Sequence, residues 1–205
     1  MKIVIIGAGS TAVTVADILA QDRNFRIAGF VGTEEEQGEL GGERLYGDIP
    51  FLGSRLMLDK IKADGVLGFI VAIGNNYTRE ERYYEATQTG LMPINAISHN
   101  AVIEPSVRIG KNVIITSGCI VSHGVTIGNN TCLDPGVIVL INSVIGENCY
   151  LQSGCIVGGL CEIGRNVTIG TRSTISPQVV IGKNNNIMTG DVVDENLEDL
   201  ARAEG

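Results

Sequence analysis

Two histidines and one glycine turn are the residues of this chain best placed to do chemistry. His123 lies in Cys119-Ile-Val-Ser-His-Gly-Val-Thr-Ile-Gly128, flanked by Ser122 and Gly124 rather than by carboxylates. An imidazole titrates near neutrality, so an outward-facing one can serve as a general base. His99, by contrast, reads as a surface or hinge histidine in a linker. Near the N-terminus, Gly7-x-Gly9-x-x-Ala12 follows a short apolar run. A glycine turn that opens a helix offers backbone N–H groups and a helix N-terminus to phosphate. The five cysteines (119, 132, 149, 155 and 161) include no CxxC pair and have no histidine cluster nearby, so core filling explains them better than zinc or disulfides.

A six-residue period positions His123. Cut every six residues from Ala101 to Gly190, the chain yields fifteen hexads whose third residue is always Ile, Val or Leu. The first residue is Ala, Val, Cys, Thr or Ser, with Asn185 the exception, and four of the five cysteines fall there. Inward residues two apart mean short strands joined by tight turns, and recurrence at 2 and 6 excludes a helix. Gly follows the aliphatic seven times, and Gly, Asn or Asp at that place is expected to supply the freedom to turn. Three hexads close a triangular coil of 18 residues, and fifteen give five coils of a left-handed parallel β-helix. His123 takes the fifth hexad position, outward at a corner, in a column that reads Pro105, His123, Ile141, Gly159, Pro177. Leu140 and Ile141 put two aliphatics where other hexads are mostly Gly or polar.

Residues 1–96 read as an α/β, Rossmann-like half domain with strands over 2–6, 25–31 and 68–73 and helices over 10–21, 56–63 and 78–89. Ser10 or Thr11 is the expected first cap, and 93–97 hand the chain to the prism. Such alternation implies a parallel sheet that binds ligands at its strand C-terminal ends. A NAD site also wants an acid at the end of the second strand. That strand ends Gly29-Phe-Val-Gly-Thr33, with Glu34 only beyond it. A nucleotide-sugar diphosphate therefore fits better than NAD, with a purely structural turn as the remaining alternative.

The net charge of −8 argues against a nucleic-acid partner. No stretch approaches a membrane span, and the opening apolar run is too short for a signal peptide, so a soluble cytoplasmic chain is expected. Residues 191–205 carry six acids (Asp191, Asp194, Glu195, Glu198, Asp199, Glu204) against Arg202. They are expected to form a solvated tail with a short acidic helix.

The hexads resemble those of the hexapeptide-repeat transferases. Three further stretches narrow the resemblance: the opening Ile-Ile-Gly-Ala-Gly9, Ala72-Ile-Gly-Asn-Asn76 followed by Arg79, and Ile97-Ser-His-Asn-Ala-Val102. Together they are similar to the bacterial sialic-acid-synthesis and glycan-pathway sugar acetyltransferases, typified by the bacillosamine and perosamine N-acetyltransferases. The turn reads Gly9-Ser-Thr11 where that group usually has Gly-Gly-His. The resemblance implies a homotrimer that uses acetyl-CoA as co-substrate and a nucleotide-linked amino sugar as acceptor. It places the nucleotide at Gly7, Gly9, Ser10, Gly32, Gly74 and Asn75. It implies coenzyme A contacts at Gly136, Gly154, Gly159, Arg165, Arg172 and Lys183, with an oxyanion donor near Gly136 or Gly154. The family base is a prism histidine beside a carboxylate. Either His123 is that base one coil lower, or the usual base is absent and Asn142 or Glu147 assists the amine. An O-acceptor, another acyl group, or a catalytically idle trimer that binds a nucleotide sugar or partner are the alternatives. Leu140 and Ile141 would then be a trimer contact or an acyl-binding surface. No metal is expected, because a zinc prism of the carbonic-anhydrase type needs three histidines and this one has a single histidine.

Overall fold

Continuous apolar runs build the N-terminal sheet. β1 (Lys2–Ile6), β2 (Arg26–Val31), β5 (Gly68–Val71) and β6 (Met92–Pro93) pair in the order β2-β1-β5-β6, all parallel. Ile3, Val4 and Ile5 are fully buried between two covering layers, as expected of a parallel strand. α1 (Ser10–Ala20) turns Val15, Ala16 and Leu19 inward. α2 (Leu58–Ala63) follows a 3₁₀ turn at Arg55–Met57, and α3 (Asn76–Gln88) follows β5. A small antiparallel pair, β3 (Arg44–Tyr46) with β4 (Ile49–Pro50), lies between β2 and α2. The computed structural model describes residues 1–33 and 44–201. Glu34 and the rest of 34–43, like Arg202 and Glu204, lie outside them. The chain divides into two compact units, Met1–Ala96 and Ile97–Gly205.

The hexads form seventeen two-residue strands, from β7 (Ala96–Ile97) to β23 (Val192–Val193), one more at each end than the period alone predicted. They stack as three parallel sheets of six, six and five strands. The first face starts at Ala96–Ile97, the second at Val102–Ile103 and the third at Arg108–Ile109. Each strand pairs with the one 18 residues away, as Ile120 does with Ile138. Inside, Ile115, Leu133, Leu151 and Ile169 form one fully buried column, each contributing about 2 kcal/mol of apolar burial.

The turn chemistry differs from expectation. In every hexad after the first, the left-handed residue is the sixth, not the glycine after the aliphatic: Asn112, Asn130, Asn148, Asn166 and Asn184 all have φ between 55° and 62°. Leu160, Arg172 and Gln178 adopt the same conformation at sixth positions on the other corners. The fourth-position glycines are needed for space instead. A Cβ at Gly128 would sit 2.6 Å from the Glu147 amide nitrogen in the coil above.

Four further expectations are corrected. α1 starts at Ser10 with Gly9 as its cap residue, and no side chain caps it, because Ser10 is already helical. α3 starts at Asn76, since the Asn75 side chain accepts the Thr78 N–H and so fixes the helix start two residues early. His99 is not in a linker but at the corner after β7. The acidic tail is neither helical nor loose over its described part. Val192–Val193 joins the second face, and Leu197, Asp199 and Leu200 then lie across the top coil. There the Gly182 N–H donates to the Leu197 carbonyl at 2.6 Å, and the Asp199 carboxylate accepts from the Lys183 N–H at 2.8 Å. The open end offers unpaired N–H groups, and the tail supplies their acceptors.

The sixth-position asparagines are joined by side-chain hydrogen bonds. Asn112 Nδ2 donates to Asn130, Asn130 to Asn148, Asn148 to Asn166 and Asn166 to Asn184, at 2.7–3.0 Å. Asn184 finishes the ladder by donating to the Leu200 carbonyl at 2.7 Å. Asn148→Ala removes two of these bonds and puts in the left-handed region a residue that tolerates it less well than asparagine, so it should cost about 3 kcal/mol. Asn148→Gly loses the same bonds without the strain and should cost about 1 kcal/mol less. Urea unfolding of the two variants measures both.

All five cysteines are free and buried. Burial pushes the Cys155 thiol up to about 12, aided by the nearby Cys119 and Asp134, and raises Cys119 and Cys161 in the same direction. The unfolded chain releases these protons near the ordinary value of 9.0. Stability from the neutral thiols is therefore complete below that pH and is lost as pH rises toward 12. Melting temperatures measured across this range should fall, less steeply in Cys155→Val, and the native thiols should resist a thiol reagent below it.

Candidate functional site

In the N-terminal unit, a cavity of about 420 Å³ opens where β1, β2 and β5 end. Ile6, Val31 and Ile73 give it an apolar floor, with Gly7, Gly32 and Thr33 at the strand ends. Gly7 has φ +117°, its N–H donates to the Val31 carbonyl at 2.7 Å, and a Cβ there would meet the Ala72 carbonyl at 2.5 Å. Only glycine fits. The Ser10 and Thr11 N–H groups at the uncapped start of α1 have no partner among the described residues. They are the ones an anionic group can use.

Of the six residues expected to hold a nucleotide, Gly7 and Gly32 line the cavity, and Gly9, Ser10, Gly74 and Asn75 do not. Asn75 spends its side-chain oxygen on capping α3. Gly74 is held from behind: the buried Arg79 donates through Nη1 to the Ile73 and Gly74 carbonyls, both at 3.0 Å, and through Nη2 to Asn76 at 2.7 Å. The stretch from Ile73 to Arg79 is thus a self-braced loop that presents Ile73 and Thr78 to the cavity. Two lining cations escaped the sequence reading, Arg55 and Arg82. Arg82 lies between Glu81 at 3.2 Å and Glu85 at 3.0 Å, with Arg55 3.6 Å from Glu85. Arg82 is four residues after Thr78 on α3, a spacing that puts both on one face and that could have found it. Arg55 carries no comparable signal.

In the prism, His123 is exposed at the corner between the second and third faces. Its Nδ1 lies 2.9 Å from Ser106 Oγ, which also accepts the Gly124 N–H at 2.9 Å. From the coil above, the Asn142 N–H donates to the His123 carbonyl at 2.9 Å. Between those rungs, the Ile141 N–H has no partner among the described residues. Ile141, one coil above His123, and Leu160, two coils above Gly124, are 48% and 52% exposed and make the corner above the imidazole apolar. Ser106 was missed because a serine at a sixth position looks like any other turn residue.

The other expected residues divide among the corners. Asn142 and Gly159 share that of His123, whereas Glu147, Arg165 and Lys183 follow the third face and Gly136, Gly154 and Arg172 follow the first. Glu147 is therefore no neighbour of His123 within the chain, and its carboxylate accepts from Asn129 at 2.8 Å. Lys183 is tied to Asp199 at 2.9 Å, and the Asp199 carboxyl is held below the usual carboxylate range by its hydrogen bonds to Lys183. The Gly136 and Gly154 N–H groups already donate to the Ser117 and Pro135 carbonyls, so neither is an open oxyanion donor. Among the described residues, no group of three or more His, Cys, Asp or Glu could hold a metal, and no helix is long and apolar enough to cross a membrane.

A parallel half-sheet with a glycine-turn cavity, joined to a left-handed β-helix with an imidazole on its corner, defines a hexapeptide-repeat acyltransferase. Residues 2–86 match the PglD N-terminal domain family, and nearly the whole chain is similar to solved perosamine N-acetyltransferases. PerB from Caulobacter crescentus, solved with CoA and GDP-perosamine, is 27% identical with a TM-score of 0.70, covering 98% of this chain and 92% of that one. A histidine-to-alanine variant of the Caulobacter crescentus GDP-perosamine N-acetyl transferase, also with CoA and GDP-perosamine, matches at 27% identity and a TM-score of 0.62 over 97% and 91%. The acetyltransferase domain of PglB from Neisseria gonorrhoeae, with acetyl coenzyme A, shares the fold at 22% identity and a TM-score of 0.67 over 97% and 93%. No curated protein matches by sequence.

Arg79→Ala should destabilise the chain by about 3 kcal/mol, because three acceptors lose a buried cationic donor. Urea unfolding tests the value, and a null effect would remove Arg79 as the brace of the Ile73–Asn75 loop.

Proposed function

We propose that this chain is an acetyl-CoA-dependent N-acetyltransferase acting on a nucleotide-linked amino sugar in bacterial surface-glycan synthesis, as a cytoplasmic homotrimer. The observation that carries the reading is the corner at His123, where an exposed imidazole held by Ser106 stands one coil below the open Ile141 amide.

The amine nitrogen attacks the thioester carbonyl carbon, forming the C–N bond. The carbonyl oxygen gains negative charge and the nitrogen becomes positive. His123 Nε2 takes the ammonium proton. Collapse of the intermediate breaks the C–S bond, and the imidazolium returns that proton to the departing thiolate sulfur. For the oxyanion we assign the Ile141 N–H in place of Gly136 or Gly154, whose amides are committed to the ladder. Asn142 steadies the His123 backbone. Gly159, Arg165 and Arg172 are the residues we assign to coenzyme A, with Lys183 set aside because Asp199 holds it. The nucleotide takes the N-terminal cavity, its diphosphate at the Ser10 and Thr11 amides and the guanidiniums of Arg55 and Arg82 within reach of its anionic charge. The bound GDP-perosamine of the Caulobacter enzyme supports this choice of substrate class.

Calorimetry should show acetyl-CoA binding, and absence of binding at millimolar concentration overturns the enzyme reading. Assayed against GDP- and UDP-linked amino sugars, His123→Ala should lower kcat about 100-fold with little change in KM. Undiminished turnover retires His123 as the base.

A further inference from the structure

We propose that Ser106 is the positioning residue that sets the tautomer of His123, taking the place of a carboxylate. The inference rests on His123 being the base.

A neutral imidazole carries one proton, on Nδ1 or on Nε2, and only the nitrogen without it can accept another. Here Nδ1 lies 2.9 Å from Ser106 Oγ, in the coil below. If Nε2 is to receive a proton from substrate, Nδ1 must keep its hydrogen and donate it. The groups flanking His123 in sequence, Ser122 and Gly124, provide no carboxylate to accept it. Ser106 provides a hydroxyl. A hydroxyl oxygen has two lone pairs, and one already takes the Gly124 N–H at 2.9 Å. That bond fixes the oxygen in place and leaves its second lone pair for the Nδ1 hydrogen.

The hexad geometry explains how a serine comes to be there. Ser106 lies one coil below Gly124 at the same corner, and from Asn112 to Gly190 every other sixth-position residue has a positive φ, whereas Ser106 does not. Its backbone is thus released from the left-handed turn, and its exposed side chain reaches up to the next coil. His123 is gripped twice, at its carbonyl by the Asn142 N–H from above and at its ring by Ser106 from below. Ser106 touches no reacting atom and remains neutral throughout, so its effect on rate acts through the imidazole alone.

The test joins spectroscopy to kinetics on the full chain. In ¹⁵N NMR of the histidine-labelled protein, wild-type His123 should be protonated on Nδ1, and Ser106→Ala should shift the population toward the Nε2–H form that a free histidine side chain prefers. The same variant should lose about tenfold in kcat with KM for both substrates unchanged, and Ser106→Thr, which keeps the hydroxyl, should restore most of it. A wild-type imidazole protonated on Nε2, which the NMR reads without any variant, overturns the proposal. So does a Ser106→Ala enzyme with wild-type kcat while His123→Ala is impaired, and that pattern leaves the base itself standing. Full activity in His123→Ala would instead remove the underlying reading.

Discussion

Each strand of the prism hydrogen-bonds to the strand 18 residues before it and the strand 18 after it, so one chain length per turn governs the whole C-terminal unit. The interval admits no error. A coil one residue longer would rotate every inward aliphatic outward, because strand side chains alternate. The left-handed residue that ends each hexad after the first keeps the count, and it does so at Leu160 and Gln178 as well as at asparagine and glycine. A leucine tolerates this conformation at a cost of about 1 kcal/mol. The prism absorbs that strain because each corner is bonded both above and below.

The same regularity makes the chemistry a matter of columns. Residues 18 apart stand above one another, so a corner is a vertical row of outward groups whose backbone amides are mostly consumed by the ladder. Among the described residues the Ile141 N–H, at a fifth position, is left without a partner, whereas at Lys111, Thr171 and Lys183 the equivalent amide donates to a side chain. An imidazole in that row has an unspent donor one strand spacing away, about 4.8 Å, without any dedicated loop. In the N-terminal unit the logic differs: a strained glycine and an uncapped helix start leave amides open beside an apolar floor. Arg79 then braces the opposite rim with a buried positive charge rather than with packing.

Much of this was legible in the sequence, and for identifiable reasons. The third-position aliphatics announce the prism because burial tolerates nothing else there, and the Gly7 turn announces the strand C-terminal ends of a parallel sheet, where the cavity opens. The placement of the turning residue was misjudged, since asparagine and leucine at a sixth position give no sign of a positive φ, while the glycines after each aliphatic are conspicuous. Composition misled over the tail, where a run of carboxylates suggested solvent but the backbone meets the unpaired N–H groups of the last coil. Corners also separate residues that sequence distance places together: Glu147 and His123 are 24 positions apart yet follow different faces. The partnership of Ser106 with His123 was invisible because it depends on one coil resting on another.

The covering of the top coil by Leu197, Asp199 and Leu200 has a further meaning for a body built of parallel strands. A naked coil end is a template: it offers a row of donors at the right spacing to any extended segment, including the base of another prism, and such contacts propagate into fibres. By bending back across the last turn with acidic side chains, the tail brings growth along the axis to a halt. Copies of this chain are left free to meet through their sides, while end-to-end stacking is blocked by a few residues that resemble disordered sequence.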